Sequence, residues 1–230
     1  MTSSSLTVQA PAGRPVSGVI WLYRFEASGR AQSMPLDAPF DLFDPDDSFL
    51  WLHLDLVDRL ARGWIEKLSG LPAAARQTLL ATDEHPSLEC DDEALWGVFV
   101  DTIEDPEDDS LRAAPMRFVL GDGFLVTGRR HPVRSAALMR QRLDRGHLVR
   151  GPVALFELMI SQVLGAIAEM LRELRTEADS IEDRVLDDRV HDESRRLAPL
   201  RRTAVRLRRP LAGFRGILRH FAEDHADKPR

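Results

Sequence analysis

The spacing of hydrophobic positions changes character twice along the chain. Phe49 to Leu56 (FLWLHLDL) alternates, setting Leu50, Leu52, Leu54 and Leu56 on one face, as a half-buried strand requires. Val16 to Glu26 (VSGVIWLYRFE) is dense in β-branched and aromatic residues and predicts another strand. Leu95 to Ile103, Met116 to Leu120 and Phe124 to Thr127 predict three more, the last two joined across Gly121-Asp122-Gly123 as a hairpin. Between them the period lengthens. Asp58 predicts the N-cap of a helix carrying Leu60, Trp64 and Leu68 and ending at Ser69-Gly70; Pro72 then opens a second helix to about Thr82. Pro132 opens a third, to about Asp144, and Gly146 to Pro152 marks a boundary.

Beyond that boundary the apolar positions fall into heptads. Ile160, Leu164, Ile167, Leu171, Leu174, Ala178, Ile181 and Val185 form one series, and Leu197, Leu200, Ala204, Leu207, Leu211, Phe214, Leu218 and Phe221 a second. Such series predict two long amphipathic helices whose seams pack antiparallel. Asp187 to Asp192 (DDRVHD) supplies the turn, and Pro199 and Pro210 predict bends in the second helix. The domain reading is a disordered tail over 1–15, a mixed α+β unit over 16–150 and a helical hairpin over 151–230.

Composition narrows the function. With 43% hydrophobic and 30% charged residues the chain is globular. The single cysteine, Cys90, excludes an internal disulfide and a Cys-x-x-Cys metal knuckle and fits a reducing compartment. The N-terminus shows no basic start with a following apolar run, so no signal peptide is expected. The apolar stretch Val153 to Leu171 is interrupted by Glu157, Gln162 and Glu169, and no membrane crossing is expected from it. Charge is polarised: Ser194 to Ala222 carries nine arginines and no acid, while Asp179 to Glu193 is strongly acidic.

Few residues combine into candidate chemistry. The seven histidines form no His-x-x-x-His or His-Glu-x-x-His pattern. His53 and Asp55 share one side of a strand and have the donor types for a metal, although a polar strand face explains them equally. His85, Glu89 and Cys90 lie together in a connector, and His220 and His225 splay around a helix. Gly121-Asp122-Gly123 lacks a following helix N-terminus and reads as a turn, not a phosphate cradle. Nucleophile-elbow and Gly-Lys-Ser/Thr sequences are absent, so no enzyme is expected. The arginine-rich helix either pairs with neighbouring acids or meets phosphate; no aromatic platform accompanies it, so nucleic acid is not expected as a partner.

Trp51 to Asp58 (WLHLDLVD), Gly70 to Pro86 (GLPAAARQTLLATDEHP), Phe124 to Pro132 (FLVTGRRHP), Ile181 to Leu186 (IEDRVL) and Leu197 to Phe214 with Arg209-Pro210-Leu211 together resemble, in order and spacing, the cytoplasmic domain of CorA-type divalent metal ion transporters. The resemblance implies an α/β/α layered funnel-wall domain with a helical hairpin hanging from it. It also implies a stalk helix and two membrane spans after the point where this sequence stops, and assembly as a homopentamer. Thr78 falls where the magnesium branch of the family places a metal-binding aspartate, and a hydroxyl lacks the charge a hard divalent cation wants. That departure favours the ZntB-like zinc branch.

The expectation is therefore the cytosolic funnel of a zinc transporter at the cytoplasmic face of the inner membrane, soluble as this fragment. Zinc is its transported ion and no cofactor is tightly bound. Asp183, Asp187 and Asp188, near the helix turn, are the candidate cation-attracting residues, acting through their field. A magnesium/cobalt channel of the same family and a free-standing cytosolic RNA- or partner-binding module are the rival expectations.

Overall fold

The computed structural model describes residues 18–36, 48–66, 68, 70–104 and 111–186, with positions 197, 198, 200–205, 208, 211–213, 215, 216 and 219, which are helical. One mixed sheet contains β1 (Val19–Phe25), β2 (Ala31–Ser33), β3 (Phe49–Asp55), β4 (Ser87–Cys90), β5 (Ala94–Glu104), β6 (Leu111–Gly121) and β7 (Phe124–Arg129). Their order is β2-β1-β3-β7-β6-β5-β4. β3 and β7 run parallel, with Leu50 opposite Phe124 and Asp55 opposite Arg129; the other pairs are antiparallel. The helices are α1 (Arg59–Ile65), α2 (Ala73–Leu80), α3 (Arg134–Asp144) and α4 (Pro152–Leu186).

The two-residue period of the strands divides the interior in two. Leu50, Leu52, Leu54 and Leu56 face Ile65 at the end of α1 and Leu71, Ala75 and Leu79 around α2. Phe49 and Trp51 face the other way, toward Ala136, Met139 and Leu143 of α3 and Leu155, Met159, Val163 and Ile167 of α4. The result is the α/β/α layering and α+β class expected from the sequence. Asp58 caps α1 as predicted, accepting from the Leu60 amide at 2.8 Å. Gly146, at φ 87°, ends α3: the Gly146 amide donates to the Leu143 carbonyl and the His147 amide to the Arg142 carbonyl, the pair of bonds that satisfies a helix end through a left-handed residue.

Four expectations change in detail. In α1 the inward residues are Ala61 and Ile65, followed by Leu68, while Leu60 is 64% exposed; the helix stops at Ile65, and its short axis turns a different face to the sheet. Neither edge strand carries a pattern that predicts it, because β2 and β4 are three and four residues long and half polar, as unpaired edges tend to be. β4 needs Gly97 beside it, since a Cβ there would lie 2.0 Å from the Ser87 carbonyl oxygen. β6 reaches back through Pro115 to Leu111. The missing N–H of Pro115 is tolerated because the β6–β7 pairing ends at Met116 opposite Arg129.

The fourth difference is the seam of α4. Its buried positions are Pro152, Leu155, Met159, Val163, Ile167, Met170 and Ile181, whereas Leu164 and Leu171 lie on the outside, about half exposed. A straight helix lying on a sheet keeps a period near 3.6 and drifts out of a 3.5-residue seam. By length and composition α4 also contains an 18-residue stretch apolar enough to cross a membrane, with mean hydropathy 1.6 over that stretch. What holds its first half in the protein is the packing of Leu155, Met159, Val163 and Ile167 against the strands. At the other end of the hairpin Leu211 packs on that same core, and a Cβ on Gly213 would lie 3.7 Å from Pro86. The chain therefore returns to the sheet, as antiparallel helices require. Pro199, Pro210 and the link from Asp187 to Asp192 lie outside the described residues.

Candidate functional site

Asp183 sits in the last turn of α4 and is exposed; Asp187 and Asp188 lie outside the described residues. Among the described residues no group of three or more His, Cys, Asp or Glu side chains is arranged to hold a metal ion.

Several of the other candidates have structural partners. His53 is fully buried, its Nδ1 is 2.7 Å from the Thr127 hydroxyl, and its ring stacks on Trp21 at 4.3 Å. Burial first, then the charge of Arg129, holds its pKa well below the usual histidine range, so it is neutral. Asp55, two residues on, accepts from the Val57 amide at 3.0 Å and shapes the turn into α1. The pair shares a face, as its spacing predicts, but serves two unrelated purposes. His85 Nδ1 lies 2.5 Å from Asp83 Oδ1 in an exposed pair, which raises the histidine and lowers the aspartate through that hydrogen bond. Glu89 and Cys90 stand on β4, not in a connector. Gly121-Asp122-Gly123 is the β6–β7 turn. The Thr78 hydroxyl donates to the Ala74 carbonyl at 3.1 Å within α2. Arg201, Arg202, Arg208, Arg215 and Arg219 are exposed, and His220 and His225 are outside the described residues.

Two buried polar clusters have no counterpart in the sequence pattern. In the first, Thr127 accepts from the Trp51 indole at 2.9 Å while meeting His53. In the second, the Ser135 hydroxyl donates to Asp101 Oδ2 at 2.5 Å, and the Thr102 and Ser135 amides reach Oδ1 at 2.7 and 3.4 Å. Val133, at the N-cap of α3, has no side-chain oxygen to offer, and Asp101 reaches across from β5 to do that work. Burial pushes the Asp101 carboxyl up to about 6, against the opposing hydrogen bonds from Ser135 and Thr102. Long-range pairs of this kind leave no local spacing in a sequence. An open depression of about 380 Å³ along the start of α3 is lined by Pro132, Val133, Arg134, Ala137, Leu138 and Gln141; that lining contains no nucleophile and no acid–base pair.

The comparisons with known proteins agree with this architecture. A family model described as CorA-like Mg2+ transporter protein matches residues 46–230. Similar solved structures include the full-length CmaX protein, at TM-score 0.80 and 23% identity over 94% of this chain and 69% of that one. The ZntB cytoplasmic domain from Vibrio parahaemolyticus matches at TM-score 0.73 and 19% identity, over 91% of this chain and 81% of that one. The soluble domain of CorA from Methanocaldococcus jannaschii matches at TM-score 0.65 and 15% identity, over 93% and 79%. No curated protein matches the sequence.

Proposed function

We propose that this chain, which belongs to the CorA-like Mg2+ transporter protein family, is the cytoplasmic domain of a divalent-cation transporter at the inner membrane, and that the transported ion is zinc. The observation that carries the reading is a family match over most of the chain, borne on a layered domain whose helix α4 runs from the sheet core to an acidic end. In this reading residues 16–150 form the wall of a cytosolic funnel and 151–230 the hairpin beside it. Asp183, with Asp187 and Asp188, concentrates cations at the mouth. The whole transporter is a homopentamer anchored by membrane spans that follow the hairpin.

Zinc is favoured by Thr78: its neutral hydroxyl, already bonded to the Ala74 carbonyl, is a poor ligand for a hard cation that prefers carboxylates. The likeness to a ZntB domain supports the same choice. Magnesium or cobalt is the second reading, supported by the family description itself and by the likeness to a CorA soluble domain. Flux into proteoliposomes bearing the full-length protein decides between them. Zinc uptake that excess magnesium leaves unchanged is the expected outcome; magnesium or cobalt flux with no zinc flux overturns the ion, and no divalent flux overturns transport. Changing Asp183, Asp187 and Asp188 together to Asn lowers zinc flux several-fold at low ionic strength and less in high salt, where the field is screened. Unchanged flux in that variant removes their role.

A further inference from the structure

Three arginines converge on the segment that leaves α2. Arg62 donates to the Leu80 carbonyl at 3.1 Å, Arg130 to the Ala81 carbonyl at 3.1 Å, and Arg117 to the Asp83 carbonyl. They come from α1, the residue after β7 and the middle of β6. The last carbonyls of a helix lack intrahelical donors and carry the negative end of its dipole, which accounts for the bonds from Arg62 and Arg130 to Leu80 and the C-cap Ala81, while Arg117 meets a carbonyl of the segment beyond the helix. These bonds do not account for the charge.

Arg117 has no exposed surface, and a buried guanidinium without a counter-ion is among the costliest groups a protein can hold. Its Nε and Nη1, together with Nε of Arg130, are buried and have no acceptor among the described residues. Burial and then the neighbouring charge of Arg130 lower the Arg117 pKa, and Glu84 and Asp83 oppose this only as lesser influences. The Asp83 carboxylate is turned to His85 at the surface. Two like charges thus stand together with unmet N–H donors. The segment that covers them, Thr82 to His85, is exposed and outside any helix or strand, so its displacement gives access from solvent.

We propose that Arg117 and Arg130 form a binding site for a small tetrahedral oxyanion of the phosphate class, closed over by the segment from Thr82 to His85. The planar guanidinium fork matches the edge of an oxyanion; two forks supply the donors, and the oxyanion supplies the negative charge that main-chain carbonyls cannot. This site is separate from the acidic end of α4 and does not depend on which cation is transported.

The test is calorimetric titration of the 230-residue chain with inorganic phosphate, sulfate, acetate and chloride at matched ionic strength. Saturable binding of phosphate and sulfate at one site per chain, at least tenfold tighter than acetate or chloride, is expected. Arg130→Gln, at a half-buried position, should keep the fold by circular dichroism and weaken phosphate at least tenfold; Arg117→Lys, which keeps the charge and loses the fork, should do the same. If Arg117→Lys does not fold, Arg130→Gln decides alone. Absence of saturable phosphate binding, equal affinity in Arg130→Gln, or acetate or chloride binding as tightly as phosphate overturns the proposal.

Discussion

The seven residues of β3 build two unlike interiors. Toward α1 and α2 the strand offers Leu50, Leu52 and Leu54, continued by Leu56, against Ile65, Ala75, Leu79, Val119 and Val126. Toward α3 and α4 it offers Phe49, Trp51 and His53, and that side also holds Thr127, Asp101 and Ser135. The first interior, apart from Arg117 at its margin, stabilises by removing apolar area from water and contains nothing that titrates near neutrality. The second couples the same burial to two groups whose charge depends on pH, one displaced upward and one downward. Strength and sensitivity are thus separated by the thickness of one sheet.

The sharpest way to break the contrast is to remove volume from the aliphatic side. Leu54 has no exposed surface, and Leu54→Ala should cost about 3 kcal/mol by transfer and cavity together. The check is the urea midpoint at several pH values: the loss should be the same at each, because no titrating group is disturbed. A loss that varied with pH would show that the two sides are coupled through the strand.

Asp101→Asn should give the next largest effect. The folded carboxyl at about 6 lies above its unfolded value of 3.8, so the unfolded chain ionises first as pH rises. The stabilisation belonging to the protonated form is complete below about pH 4, declines between 4 and 6, and is gone above 6. With a displacement of about two units, the decline amounts to about 3 kcal/mol at most. Asn keeps an acceptor for the Ser135 and Thr102 amides without the charge, so the variant should lack the decline across that window. Denaturation curves at pH 4, 5, 6 and 7 measure the difference, and an unchanged slope in Asn would mean the carboxyl ionises as freely folded as unfolded.

The two sides also differ in how far the sequence announces them. Four leucines at alternate positions specify the aliphatic face of β3 unaided, and Asp58 and Gly146 mark helix ends through local hydrogen bonds that follow from residue type. The layering, and the hairpin returning by Leu211, were therefore legible. The other side was not, because its polar pairs join distant positions: Asp101 meets Ser135 thirty-four residues on, and His53 meets Thr127 across seventy-four. Spacing places His53 and Asp55 on one face but says nothing of Trp21 stacking above one or a turn amide engaging the other. The heptads of α4 misplace Leu164 and Leu171 for a related reason, since a seam presumes a rod as partner and half of this helix has a sheet. Of the acidic candidates, Asp183 falls where the helix periodicity puts it, at an exposed end.

The smallest effect at neutral pH, and the most discriminating in acid, belongs to His53. Its folded pKa lies below the ordinary value near 6.5, so the unfolded chain takes up the proton first as pH falls. The stability conferred by the neutral ring is present above about 6.5 and is lost progressively below it. This opposes Asp101, whose contribution rises over the overlapping window, and the wild-type profile is the difference of the two. His53→Phe retains a flat ring to stack on Trp21 and leaves Thr127 able to accept from Trp51 and to donate to the Leu52 carbonyl, 3.4 Å away. At pH 7 it should change stability by only about 1 kcal/mol, the net value of one hydrogen bond. Below pH 6 the variant should gain on the wild type with each step down, and adding Asp101→Asn should leave a nearly flat profile between 4 and 7. If the single variant instead parallels the wild type in acid, the buried ring is not what couples this interior to protons, and the contrast between the faces reduces to Asp101 alone.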